Sequence, residues 1–298
     1  MAANILDGKQ LAQQIRQQTA QRVAELARRF RPPALAAVIV GADPQAELYA
    51  DNQRKKCQEL GIGHRLERLG TEAGQGRLAE LIARLNADRD IDGIILQQPL
   101  PKEWDAAAAQ SAISPDKDVE GVSPTSLGLL AYGRPALLPC TALAAWELIQ
   151  ASGVRVEGAE AVVIGRSQIV GRPIGLILLN HHATVTICHT RTRDLPGTAR
   201  QADILVVAAG RPRLVTAEFV KPGAVVIDVG TNRVTETDPG VPGGKQVTRT
   251  VGDVDFEQVR QVAGWVTPVP GGVGPVTVAL LLRNVTEAAE RQLAGRTR

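Results

Sequence analysis

Residues 267–278, TPVPGGVGPVTV, combine two prolines, a Gly-Gly pair and a Gly-Pro step. Such a run excludes helix and central strand and forces a tight loop whose backbone lies open to close approach. A ligand is the natural occupant. Pro275 stands at the first-turn position of a following apolar pattern, so the loop leads into a helix with its amide donors facing outward. Taken alone, a generic loop–helix junction reads the same way. A second stretch with chemical potential is GRSQIVGRPIG, 165–175, behind the apolar run 161–164. Strand, glycine turn and helix start are the context in which a dinucleotide pyrophosphate meets backbone amides. The match to G-x-G-x-x-G is imperfect: Gly165 fits, Ser167 replaces the second glycine, and Gly171 arrives one place late.

The next strand discriminates between cofactors. An NAD site places a carboxylate about 20 residues after the first glycine, where it binds the ribose hydroxyls. Here that strand ends Cys188-His189-Thr190-Arg191-Thr192-Arg193, with no acid in place. Arg166, Ser167 and Arg191 offer cationic and hydroxyl donors suited to a phosphate on the ribose, which points to NADP. A solvated basic loop is the alternative. Farther upstream, VGADPQAELYADNQRKKCQELG (40–61) is a strand end, a turn and an amphipathic helix on which Tyr49 and Gln53 share a face. Spacing alone does not separate a catalytic tyrosine from a core or rim one.

These stretches need a scaffold. A helix with apolar residues at Leu11, Ile15, Val23 and Leu26 runs to about Phe30 and stops at Pro32-Pro33. Short apolar runs at 35–40, 93–96, 161–164, 184–187, 204–207 and 224–229 then alternate with helical patterns near 45–60, 75–87, 142–151, 171–181 and 275–293. Non-alternating strands interleaved with helices mean a parallel α/β architecture. The aliphatic composition agrees, 44% hydrophobic with only 3% aromatic, and 298 residues suffice for two domains. The texture breaks around 115–140, which places a boundary there: a first domain, 1–140, completed by a returning terminal segment, 273–298, and a second domain, 141–272. The returning helix would put the Gly/Pro loop at the cleft.

Net charge is +3, from 34 basic and 31 acidic residues without a basic tract, so nucleic-acid binding is not indicated. Cys57, Cys140 and Cys188 are odd in number and lack metal-site spacing; they read as reduced, semi-buried residues, with no metal expected. With no signal-peptide core and no membrane-spanning window, the expectation is a soluble cytoplasmic protein.

The ordered segments LDGK (6–9), VGADPQAELY (40–49), DGIILQQPLP (92–101), PDKDVEG (115–121), GRSQIVGRP (165–173), VIDVGTN (226–232), VGDVDF (251–256) and TPVPGGVGP (267–275) resemble, from end to end, the methylenetetrahydrofolate dehydrogenase/methenyltetrahydrofolate cyclohydrolase family of one-carbon metabolism. The resemblance implies a folate domain, a Rossmann NAD(P) domain, a C-terminal helix returning to the first domain, and a homodimer. It also implies roles for Tyr49, Gln97 and Asp118 in catalysis, with Tyr49, Gln98, Asp118, Pro270, Gly271 and Gly272 toward the folate. Gly165, Arg166, Ser167, Gly171, Thr190, Arg191, Gly210, Gly230, Thr231 and Thr277 lie toward the cofactor. Asp7 and Asp228 remain structural candidates.

One departure stands out. The family carries a lysine four residues after the tyrosine, and Gln53 occupies that place. Gln98, Glu120 and Ser123 also differ from the family's usual leucine, aspartate and histidine or threonine. Hydride transfer is chiefly a matter of positioning, which a neutral amide can serve. Hydrolysis of the methenyl cation needs protons moved by a titratable group, whose loss typically costs about 10²–10⁴-fold. The expectation is therefore an NADP-dependent dehydrogenase with impaired cyclohydrolase activity. The alternatives are a fully bifunctional enzyme, with Lys56 reaching back along the helix or another group substituting, and a folate- or nucleotide-binding paralogue without the activity.

Overall fold

A computed structural model of the chain describes residues 2–237 and 246–294. The chain divides into two compact units, Met1–Ala12 with Thr141–Val278 and Gln13–Cys140 with Ala279–Arg298. A six-stranded sheet and a hairpin lie in the first, a three-stranded sheet in the second.

β1 (Asn4–Ile5) and the start of α1 (Gly8–Arg29) belong to the six-stranded unit. The rest of α1 opens the three-stranded unit, followed by β2 (Ala34–Val40), α2 (Pro44–Leu60), β3 (Gly63–Leu69), α3 (Gly74–Ala87), β4 (Gly93–Leu96), α4 (Ala106–Ser111) and α5 (Pro124–Ala131). Its strands are parallel in the order β3-β2-β4. β2 reads as an unbroken apolar run because both its faces are covered. Leu35 and Ala37 pack in a cluster with Val23, Cys57 and Ile95, while Ala36, Val38 and Val40 pack against Leu78, Leu81, Ile82 and Leu85 of α3.

The six-stranded unit continues with α6 (Cys140–Ala151), β5 (Glu160–Ile164), α7 (Gly171–Asn180), β6 (Thr184–Cys188), α8 (Leu195–Ala199), β7 (Ile204–Val207), β8 (Val225–Asp228), the antiparallel pair β9 (Asn232–Thr237) and β10 (Gln246–Val251), α9 (Phe256–Val259) and β11 (Trp265–Val266). The sheet order is β1-β11-β8-β7-β5-β6, with every pairing parallel. From β5 the chain steps outward to β6 and then back across to β7. That reversal opens a crevice beyond the carboxyl ends of β5 and β7, the usual ligand position in such sheets.

α10 (Val273–Ala294) leaves the six-stranded unit and, from Ala279, belongs to the three-stranded one. There Leu281, Leu282, Val285 and Ala288 join the cluster around Leu35, and Asn284 Nδ2 donates to the carbonyls of Val119 and Leu138 at 2.9 and 3.1 Å.

The N-terminus departs from the division expected from sequence. Residues 1–12 group with 141–278 because β1 pairs with β11, Asn4 opposite Trp265 and Ile5 opposite Val266, with Ala3 N donating to Arg260 O at 2.7 Å. A two-residue strand leaves no periodicity to read. Residues 273–278 likewise fall with the six-stranded unit. Among the described residues, no helix is long and apolar enough to cross a membrane, and no cluster of three or more His, Cys, Asp or Glu could hold a metal ion. The three thiols are free and buried, more deeply than the sequence implied.

Candidate active site

α2 buries Ala46, Ala50, Gln53 and Cys57, a stripe at helical spacing that faces β2 and β3. Gln53, only 5% exposed, is the polar member of that stripe. Its Oε1 lies 3.4 Å from His64 Nε2 on β3, and its Nε2 is buried without a partner. Tyr49, one turn earlier, sits at the rim with 45% of its surface exposed. Its phenol is nevertheless pushed up to about 12, first by desolvation and then by the nearby Glu120 and Cys140. Lys56 does not turn toward Gln53: its ammonium donates to both carboxylate oxygens of Glu59, at 2.7 and 2.8 Å.

Gln97 follows β4, and its backbone N–H donates to Val38 O, which extends the ladder by one residue. The side chain is buried and its Nε2 has no partner. Gln98 lies in the exposed turn beyond, its Oε1 accepting from Leu100 N at 3.3 Å. Asp118 is fully buried. Its oxygens accept from Gly121 N (3.1 Å), Ser123 N (2.8 Å), Ser126 Oγ (2.7 Å) and Gln110 Nε2 (3.4 Å). A carboxylate has about four lone-pair sites, and the chain itself fills them. Asp118 thus anchors the turn into α5, and a folate contact, as the resemblance implied, requires displacing the distant Gln110 amide. Ser123 belongs to the same anchor: as N-cap of α5, its Oγ accepts from Ser126 N at 3.2 Å. Burial pushes the Glu120 carboxyl up to about 8, with Asp118 adding to the shift.

In the six-stranded unit, Gly165 ends β5 at φ 121°, and a Cβ there would overlap the Ala208 carbonyl oxygen. Only glycine lets the two turns at the crevice come together. Ser167 Oγ accepts from Val170 N and Gly171 N at 3.2 and 3.3 Å, which fixes the entry to α7. Arg166, Thr190 and Arg191 are exposed around this turn, and Arg191 N donates to His189 Nδ1 at 3.1 Å. The nearest downstream acid, Asp194, is spent capping α8, where it accepts from Gly197 N at 2.9 Å. The cradle therefore fits a dinucleotide carrying an additional phosphate better than one needing a carboxylate on its ribose.

Two buried aspartates hold the later turns. Asp253 Oδ2 accepts from Ala209 N and Gly210 N at 2.6 and 2.8 Å, and its Oδ1 accepts from Asn232 Nδ2. Asp228, pushed up to about 7 by burial despite three backbone donors, accepts from Gly230 N, Asp253 N and Val254 N. Thr231 is exposed just beyond. In the Gly/Pro loop Thr267 Oγ1 accepts from Asp228 N at 2.7 Å, the Val269–Pro270 bond is cis, and Gly271 has φ 113°. A Cβ on Gly8 would overlap the Gly272 carbonyl oxygen. Thr277 Oγ1 donates to Val273 O within α10.

Residues 6–120 match the family model described as tetrahydrofolate dehydrogenase/cyclohydrolase, catalytic domain, and residues 139–293 match the NAD(P)-binding domain of the same family. The chain belongs to the tetrahydrofolate dehydrogenase/cyclohydrolase family. It is 47% identical to the bifunctional protein FolD of Moorella thermoacetica over 291 residues, covering 98% of this chain and 100% of that one. Among solved structures, the bifunctional FolD enzyme of Campylobacter jejuni aligns with TM-score 0.89 at 40% identity, over 97% of this chain and 99% of that one. A Trypanosoma brucei FolD structure, complexed with NADP cofactor and inhibitor, aligns equally well at 39% identity, over 98% and 99%.

As a tetrahydrofolate dehydrogenase/cyclohydrolase family member, the chain is an enzyme with a catalytic domain and an NAD(P)-binding domain. Sequence reasoning did not single out His64, Gln110, Ser126 or Asp253. Asp253 lies inside the VGDVDF segment and so carried a signal. A lone histidine in the charged run GHRLERL carried none.

Proposed function

We propose that this chain oxidises 5,10-methylenetetrahydrofolate to 5,10-methenyltetrahydrofolate with NADP, and that its hydrolysis of the methenyl product to 10-formyltetrahydrofolate is slow. The reading is carried by Gln53: a buried, non-titrating amide stands in the polar position of α2, while Lys56 is engaged by Glu59. Bound NADP would supply the hydride acceptor. The three-stranded unit's part is to hold the folate in register, through Tyr49 at the rim, the amides of Gln53 and Gln97, and Gln98, with Asp118 stiffening the turn beneath. None of this needs a charge at position 53. Hydrolysis does need a proton acceptor for the attacking water and a donor for the departing ring nitrogen.

NADP rather than NAD is favoured by Arg166, Ser167 and Arg191 in the absence of a free acid after β6. On the cofactor side we assign Gly165, Gly171, Thr190, Gly210, Gly230, Thr231 and Thr277 as well. We also propose a homodimer. β6 is an edge strand, with Ile187 39% exposed and Leu179 on the adjoining α7 55% exposed, a combination that favours cover by a second copy. Buried free thiols suit a reducing cytoplasm.

A second reading, full bifunctionality, has support in relatives named bifunctional at 47% identity and in Glu120, a carboxyl able to titrate near neutrality. One assay separates the readings: NADP reduction and the methenyl intermediate followed together from 5,10-methylenetetrahydrofolate, for the natural chain and Gln53→Lys. Accumulating methenyl product, with hydrolysis appearing in the variant, supports slow hydrolysis. Hydrolysis keeping pace in the natural chain overturns it, and no reduction at all would indicate a binding paralogue.

A further inference from the structure

His64 has no part in the reading above, yet it touches the residue on which that reading turns. β3 pairs with β2 in parallel, His64 opposite Leu35, and partners in a parallel ladder point to the same face. Leu35 packs with Cys57 of α2. His64 therefore rises from the face that α2 covers and meets Gln53 across the helix–sheet interface, Nε2 to Oε1 at 3.4 Å. Gln97 shares that face, since it has the parity of Ile95, which lies in the cluster of Leu35 and Cys57.

Buried polar atoms without a partner are unusual, and a buried unsatisfied donor costs about 1–3 kcal/mol. Among the described residues such side-chain atoms belong to Gln53, His64, Gln97 and Arg260. Three of those four residues sit on this one face. Gln53 Nε2 and Gln97 Nε2 are both amide donors lacking an acceptor. An amide can turn either end toward a ligand, and its orientation follows from what the other end is bonded to.

We infer that His64 is a positioning residue for the folate: its Nε2–H donates to Gln53 Oε1 and so commits Gln53 Nε2, beside Gln97 Nε2, as a donor to the acceptor edge of a pterin ring. The inference rests on the folate reading above. Desolvation first, and Arg54 second, hold the imidazole below its usual range, which keeps it neutral at physiological pH with a single N–H to place. The donating tautomer is specific to glutamine. An ammonium at position 53 has no lone pair, so Nε2 could meet it only as an acceptor, in the other tautomer, and would orient no amide. His64 thus adapts the pocket to a neutral donor where the family has a cation.

The test is a double-mutant cycle between positions 53 and 64, read by steady-state kinetics with 5,10-methylenetetrahydrofolate and, independently of turnover, by calorimetric binding of tetrahydrofolate. Expected for His64→Leu is a folate KM and Kd raised about ten-fold, the scale of one net hydrogen bond, with kcat within about two-fold and the KM for NADP unchanged. His64→Gln, whose amide N–H reaches the same place, restores folate affinity. In the Gln53→Lys background, His64→Leu costs less than about two-fold. An equal loss in both backgrounds, no loss in either, or a His64→Gln variant no better than His64→Leu overturns the inference. If no variant reduces NADP while the binding pattern holds, the dehydrogenase reading fails and the role of His64 stands.

Discussion

Asp253 and Gly210 are joined by a 2.8 Å hydrogen bond from the Gly210 amide to the Asp253 carboxylate, which also takes the Ala209 amide at 2.6 Å. A buried side chain thereby sets the shape of a turn at the mouth of the dinucleotide crevice. Asp253→Ala leaves two backbone N–H groups without an acceptor and the Asn232 amide with only the Val251 carbonyl, at 3.5 Å. The expected loss is about 3 kcal/mol in stability, with weaker NADP binding and unchanged tetrahydrofolate affinity. Urea denaturation and separate calorimetric titrations check all three; wild-type NADP affinity would remove Asp253 from the cofactor turn.

Glu120 gives a pH dependence with a defined sign. Its folded value is raised to about 8 from 4.5, so the folded state holds a proton that the unfolded chain has lost between those values. Its contribution is fully present below pH 4.5 and is lost as pH rises through about 8. Glu120→Gln abolishes that titration. Its stability relative to the natural chain should therefore be higher at pH 8.5 than at pH 5, as read from denaturation midpoints at both. A pH-independent difference would show that the carboxyl is ionised in the fold.

The proposed place of residue 53 against the folate carries a further expectation for the product. The methenyl group carries a positive charge, and Gln53 presents none. Two like charges 4 Å apart repel by about 4 kcal/mol at an effective dielectric of 20. Gln53→Lys should accordingly weaken product inhibition by methenyltetrahydrofolate by roughly 10- to 1,000-fold, the upper figure corresponding to the full 4 kcal/mol, even before hydrolysis is counted. Inhibition constants measured at low turnover decide it, and an unchanged constant would mean that residue 53 does not face the bridge carbon.

Arg191→Ala should raise the KM for NADP about 10- to 100-fold while leaving that for NAD within two-fold, the range expected for one charge-assisted hydrogen bond. The NADP constant of the natural chain should in turn rise with salt. Unchanged cofactor preference would pass the phosphate to Arg166 or Ser167.

Most strands legible in the sequence were those buried on both sides; β6, read at 184–187, is an edge strand recognisable by its β-branched run. β2, β4 and β7 are apolar throughout, and β5 and β8 are apolar but for Glu160 and Asp228 at their ends, because helices or neighbouring strands cover them. β3 was invisible for the opposite reason: as an edge strand, GHRLERL sends Arg65, Glu67 and Arg68 outward into ion pairs with Glu67, Asp88 and Glu47. That hid His64 along with it. The glycine turn at 165–171 announced itself through its backbone demands. The functions of Asp253 and Ser123 depend on which distant amides they meet, and no local pattern encodes that. Gln53 was conspicuous only against a family in which lysine stands there. The sequence could not tell that its amide had found an imidazole.

That contact has a consequence at the level of the gene. Glutamine and lysine codons differ at the first base alone, so one substitution would return position 53 to the family residue. The swap would put a donor where His64 Nε2 now faces the acceptor Oε1, so the ring would have to take its other tautomer to meet it. For this pair one base change therefore reverses the direction of a hydrogen bond as well as adding a charge.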